Sequence, residues 1–218
     1  MHFKAVLFDF DGVIVHSTPI HLDGWASAYH GLIGEHVDEA LLKTLVGKST
    51  AEIGTILAVK SGILSVKGEL IQRKARYVLD HLETIPLIPG IQSFLEKLQA
   101  AGIPYGIASN APRAFIQAAL DRHALPYRFY LGLEDYAEPK PHPEPYLKGA
   151  LAMNWEPLRH SEIAVFEDSV HGIHAAIAAG MTAIGVTSQH SRQLLIEAGA
   201  SDTIQDFHDN EFLRQHFF

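Results

Sequence analysis

From residue 88 onward, short apolar runs alternate with stretches that carry apolar residues at helical spacing. The runs 105–108, 128–133, 163–166, 182–186 and 202–204 are too short for helices and favour β structure. Residues 91–101, 112–122, 144–153, 170–179 and 191–198 read as the helices between them, and 210–218 as a short docking helix. Gly102 and Gly180 mark helix ends, and Pro112 falls where a helix opens. A further apolar run, 5–8, supplies the first strand, and 202–204 reads as an edge strand. Strands alternating with helices of about ten residues imply right-handed βαβ units and a parallel sheet. The expected fold class is α/β, with a Rossmann-like doubly wound parallel sheet as core.

Residues 17–85 have another texture. The segments 19–29, 37–45, 51–59 and 67–82 repeat apolar residues at helical intervals, as Leu41 with Leu45 and Ile53 with Leu57 illustrate. Glycines 31, 34, 47, 62 and 68 punctuate them, and no strand pattern intervenes. Trp25 and Tyr29, four apart, are expected to be core. Pro86 and Pro89 close the region. The expected organisation is a core of 1–16 and 86–218 interrupted by a helical domain, 17–85.

Composition narrows the function. With 25 acidic against 17 basic side chains the net charge is −8, which argues against a nucleic-acid surface. An anionic substrate must then be held by local features rather than by a global field. The chain has no cysteine, hence no disulfide, zinc-thiolate site or cysteine nucleophile. His171 and His174 lack partners at metal-ligand spacing. No leader and no membrane-spanning run is apparent, so a cytoplasmic protein is expected, and nothing demands a partner chain, so a monomer is expected.

Candidate chemistry collects where strands end. Asp9 and Asp11 follow the first strand, Ser109 and Asn110 the second, Lys140 sits in the loop after 128–133, and Glu167 and Asp168 end 163–166. In a parallel sheet these ends share one rim, where ligands bind. Taken alone, Asp9, Asp11 and Gly12 could be an ordinary turn. Together the four clusters make an oxygen-rich kit: carboxylates for Mg²⁺, a lysine for phosphate oxygens, and a hydroxyl and an amide to orient a phosphoryl group.

Asp9-Phe10-Asp11-Gly12-Val13, Ser109-Asn110, Lys140-Pro141 and Glu167-Asp168-Ser169 resemble, in order, the four motifs of the haloacid dehalogenase superfamily. The helical insertion is similar to that superfamily's small cap. Lys140-Pro141-His142-Pro143-Glu144-Pro145-Tyr146-Leu147, and the run from Glu167 to Met181, are most similar to the β-phosphoglucomutase and sugar-phosphatase branch. The resemblance implies Asp9 as nucleophile and Asp11 as general acid/base, with the Asp11 main-chain carbonyl on Mg²⁺. It implies Asp168, with Asp9, as metal ligands, and Glu167 acting mostly through a metal-bound water. Ser109 and Lys140 would grip the transferred phosphoryl group, and Asn110 would support them or touch substrate. Gly12 and the inserted-domain residues His21, Lys48 and Thr50 are further substrate-side candidates. The second aspartate, Asp11, sets the chain apart from the hydrolytic dehalogenases, which lack it.

Two positions depart from the pattern. His16 stands where relatives carry an acid. Thr50 stands where the mutase carries an arginine for its second phosphate, and Lys48 is a partial substitute. The expected activity is Mg²⁺-dependent hydrolysis of a small phosphorylated metabolite, a sugar phosphate, through an aspartyl-phosphate. A sugar-phosphate mutase and a non-catalytic phosphometabolite-binding module are the alternatives.

Overall fold

A computed structural model describes residues 2–46, 48–208 and 210–218. Gly47, expected in the turn before residues 51–59, lies outside them. The chain divides into two compact units, one of Met1–His16 and Pro86–Phe218, the other of Ser17–Ile85.

The first unit is built on six parallel strands: β1 (Ala5–Phe8), β2 (Tyr105–Ala108), β3 (Tyr130–Leu131), β4 (Ile163–Glu167), β5 (Thr182–Val186) and β6 (Asp202–Ile204). Their order is β3-β2-β1-β4-β5-β6, so the direction of winding reverses between β1 and β4. Strands β1, β2 and β4 are buried on both faces, which is why they read as unbroken apolar runs rather than alternating ones. Register places Phe8 beside Phe166, and their rings stack with centroids 5.5 Å apart. On that face Phe94 of α5 (Ile91–Ala100), Phe207 and Phe217 of α10 (Asn210–Phe217) complete an aromatic cluster. A second buried cluster joins Leu7 and Val165 to Tyr146 and Ala150 of α7 (Glu144–Ala152) and to Ile173 and Ala176 of α8 (Val170–Ala178). Helices α6 (Arg113–His123) and α9 (Arg192–Glu197) complete the wrapping.

The third strand is shorter than the pattern predicts. Only Tyr130 and Leu131 pair with β2, and the chain then turns into a 3₁₀ segment, Leu133–Asp135. Asp135 Oδ2 accepts the Gly132 N–H at 2.8 Å and so ends the strand with a local turn.

The second unit holds α1 (Thr18–Ile33), α2 (Glu39–Thr44), α3 (Thr50–Ser61) and α4 (Lys67–Asp80). Its core is Trp25, Tyr29, Leu42, Leu45, Ile53, Leu57 and Leu70, all buried. Gly31 and Gly68 do not interrupt helices as expected: α1 runs through Gly31 to end at Gly34, at φ 83°, and Gly68 lies in the first turn of α4. Ser49 and Glu52 close a reciprocal capping box at the start of α3. No helix among the described residues is long and apolar enough to cross a membrane.

Candidate active site

The register that pairs Phe8 with Phe166 carries Asp9 alongside Glu167, and the Asp9 N–H donates to Phe166 O at 3.0 Å. Because successive residues of a strand face opposite ways, turning the two phenylalanines into the aromatic cluster sends Asp9 and Glu167 to the other side. Asp9, Glu167 and Asp168 thus meet at the crevice where the winding reverses, each buried, each offering an oxygen within 4.8 Å of the others.

Lys140 is the cation that ion-pairs with this group. Its Nζ donates to Asp9 Oδ1 at 2.6 Å and to Glu167 Oε1 at 2.7 Å, and it lies 4.5 Å from the centroid of the Tyr146 ring. Burial pulls its pKa down, but Asp9 and Glu167 outweigh burial and hold it above the ordinary lysine value. The ammonium stays charged. Burial first, then Glu167 and Asp11, push Asp9 up to about 7 against the pull of Lys140. Burial, Glu167, Asp9 and Asp11 likewise raise Asp168.

Among the described residues no cation pairs with Asp168. Three crowded carboxylates against one lysine leave a surplus of negative charge in a buried place. An all-oxygen donor set of this kind fits a hard divalent cation such as Mg²⁺.

The loop that delivers Lys140 is pinned from both sides. Asn110 Oδ1 accepts the Lys140 N–H at 3.1 Å and its Nδ2 donates to Lys140 O at 3.2 Å. Its amide is therefore spent on the lysine loop, the supporting half of its expected role. Glu144 accepts the N–H groups of Ala137 at 3.1 Å and Glu138 at 2.7 Å, and Lys148 bridges Glu144 to Asp135 O. Those hydrogen bonds hold the Glu144 carboxyl down at about 2, the Lys148 hydrogen bond contributing most. Ser109 is buried at the end of β2, where its Oγ accepts the Ala111 N–H at 3.2 Å.

Glu167 is engaged by protein donors. Its Oε1 accepts from Lys140 and from Tyr146 Oη at 2.7 Å, and its Oε2 from the Ser169 N–H and hydroxyl. Both oxygens are committed to protein donors, so its geometry is that of a group that holds Lys140. Gly172 packs against it, and a Cβ there would overlap the Glu167 carboxyl. Asp11 stands outside the group of three close carboxylates, near enough to raise Asp9 and Asp168. Gly12 has φ 74°, and a Cβ there would overlap Asp168 Oδ2. Its lack of a side chain makes room for Asp168.

His21, Lys48 and Thr50 belong to the other compact unit. His21 is half-buried on α1, Lys48 is exposed, and Thr50 is the exposed first residue of α3. Tyr146 and the loop Thr187-Ser188-Gln189-His190 were not anticipated. That loop follows β5, and the rule that found the other clusters, polar residues after a strand, applies to it equally. Tyr146 carries no such signal, because its hydroxyl reaches Glu167 from a helix.

A family model for haloacid dehalogenase-like hydrolases matches residues 6–186. The chain is 31% identical over 205 residues to validoxylamine A 7'-phosphate phosphatase of Streptomyces hygroscopicus subsp. limoneus, covering 90% of this chain and 91% of the relative. It is 31% identical to the β-phosphoglucomutase of Bacillus subtilis, covering 84% and 83%. A solved HAD hydrolase of family IA, variant 3, from Entamoeba histolytica superposes with a TM-score of 0.81 at 26% identity, covering 94% of each chain. With the match spanning most of the sheet and the four polar clusters that follow β1 to β4, the chain belongs to the haloacid dehalogenase-like hydrolase family.

Proposed function

We propose that the protein is a divalent-cation-dependent phosphatase of a small phosphorylated metabolite of the sugar-phosphate class. One observation carries the reading. Asp9 has Oδ1 held by Lys140 while its Oδ2 accepts no hydrogen bond among the described residues, at a crevice lined by further acids. An oriented carboxylate with one uncommitted oxygen is what attack on phosphorus requires.

Asp9 Oδ2 attacks phosphorus, the bond from phosphorus to the leaving oxygen breaks, and Asp11 gives that oxygen its proton. Water then attacks the aspartyl-phosphate, Asp11 takes the water's proton, and phosphate leaves with the Asp9 carboxylate restored. Lys140, fixed by Glu167 and Asn110, and Ser109 hold the phosphoryl oxygens. Asp9 and Asp168, with the Asp11 carbonyl, would hold Mg²⁺, which supplies charge neutralisation for the phosphoryl group. Phosphate monoester hydrolysis is slow enough to need accelerations up to ~10²¹, so positioning, charge and a covalent intermediate must act together. The helical stretch Ser17–Ile85 is a compact unit of its own, joined to the first unit at Ser17 and Ile85.

The names of relatives support the class: one is a validoxylamine A 7'-phosphate phosphatase, and a hexitol phosphatase of Escherichia coli is 29% identical over 197 residues. The β-phosphoglucomutase of Bacillus subtilis keeps mutase activity as the second reading. Thr50 speaks against it, since a hydroxyl at the exposed start of α3 supplies no cation for a second phosphate.

The test is phosphate release from a panel of sugar phosphates and an aryl phosphate, with Mg²⁺ and with chelator. Chelator-sensitive release that disappears in Asp9→Asn is expected. Interconversion of hexose 1- and 6-phosphates without net phosphate release would replace the phosphatase with a mutase.

A further inference from the structure

Three side chains of the loop after β5 converge on Asp168 and Gly12, and nothing in the mechanism above uses them. Gln189 Nε2 donates to Asp168 Oδ2 at 2.5 Å. Ser188 Oγ donates to Gly12 O at 2.6 Å and lies 3.4 Å from the same Asp168 oxygen. His190 Nδ1 sits 2.9 Å from Asp168 O. Among the described residues the side-chain hydrogen bonds of Asp168 are on Oδ2, and Oδ1 accepts none. The clamp depends on the missing side chain at position 12, where a Cβ would stand 2.7 Å from Gln189 Nε2 as well as overlapping Asp168.

The chemistry of the donors is informative. An amide and a hydroxyl orient a carboxylate without neutralising it, whereas a lysine or arginine in their place would cancel its charge. Asp168 is thus turned by neutral groups on one oxygen, and its other oxygen is left without a protein donor among the described residues. That is the arrangement of an outer partner that orients a metal ligand.

We propose that Gln189, with Ser188 beside the same carboxylate oxygen, is the positioning residue for Asp168 as a ligand of the divalent cation, presenting Oδ1 to it. The inference rests on the cation-dependent reading above. Gln189 touches neither substrate nor reacting atoms in this scheme, and its effect is read in metal affinity rather than in chemistry.

The experiment is calorimetric titration of the metal-free full chain with Mg²⁺ alone, for the wild type, Gln189→Met and Gln189→Leu. Both substitutions keep bulk and lose the donor, so either serves if the other does not fold. The thermal midpoint of each metal-free protein is recorded alongside. Loss of an outer partner of this kind typically weakens metal binding 10–100-fold. The expected result is a Kd for Mg²⁺ raised by about that factor, with the metal-free midpoint close to wild type. A Kd within about twofold of wild type in a folded variant overturns the assignment to Gln189 and leaves the phosphatase reading standing. A wild type that binds no Mg²⁺ removes both.

Discussion

Lys140 Nζ reaches Asp9 Oδ1 at 2.6 Å across 131 residues of chain, and both side chains are buried. Strand β1 places the acid, and a loop between β3 and α7 places the base. The same ammonium holds Glu167 at 2.7 Å. The pair therefore has a structural role as well as the catalytic one proposed for it.

Lys140→Met is expected to destabilise the metal-free protein by about 3–5 kcal/mol, because it leaves two buried carboxylates without their cation. Urea unfolding of both proteins at neutral pH measures this. A loss under about 1 kcal/mol would mean that the acids simply take up protons when the cation goes.

Glu144 gives a pH-dependent effect. Its folded pKa of about 2 lies below the ordinary 4.5, so the unfolded chain binds the proton more readily. Its stabilising contribution is therefore complete above about 4.5 and is lost as pH falls toward 2. The difference in thermal midpoint between wild type and Glu144→Gln should be largest at neutral pH and shrink between pH 4.5 and 2.5. A difference constant across that window would show that the carboxylate charge is not what secures the loop.

Gly172→Ala reverses a general rule. In most helix interiors alanine is better than glycine by about 1 kcal/mol. Here the added Cβ would overlap the Glu167 carboxyl, so the substitution is expected to cost about 1–3 kcal/mol and to lower phosphate release by displacing the partner of Lys140. Equal or greater stability in chemical denaturation would show that Glu167 has room to move.

Trp25 is 2% exposed in the core of the helical unit, with Tyr29 at 1%. Trp25→Ala should cost about 3–5 kcal/mol by leaving a large cavity. Hydrogen exchange should show the loss in Ser17–Ile85, with protection of β1 and β4 retained. Equal loss of protection in both units would mean that they unfold together.

Much of this architecture could be read along the chain, for reasons that are local. Strands buried on both faces are unbroken apolar runs, and helices carry their stripe every three to four residues, so β1, β2, β4, β5 and the main helices are legible from periodicity. The strand-end rule placed Asp9, Asp11, Ser109, Asn110, Lys140, Glu167 and Asp168 on one rim, because parallel strands all point the same way. Gly31 and Gly68 lie inside helices, because a single glycine costs a helix only about 1 kcal/mol against alanine. The third strand is shorter than its apolar run because its end is set by the Asp135 carboxylate turning back on Gly132 N.

What only the tertiary structure decided is who faces whom. Register, which pairs Phe8 with Phe166, brings Asp9 beside Glu167. Loop conformation spends Asn110 on Lys140 and turns both Glu167 oxygens to protein donors. Gln189 and Ser188 reach Asp168 only because strand β5 lies next to β4 in the sheet. Periodicity specifies which residues are buried and which elements form. Hydrogen bonds between residues far apart in the chain depend on angles and distances that no local pattern encodes.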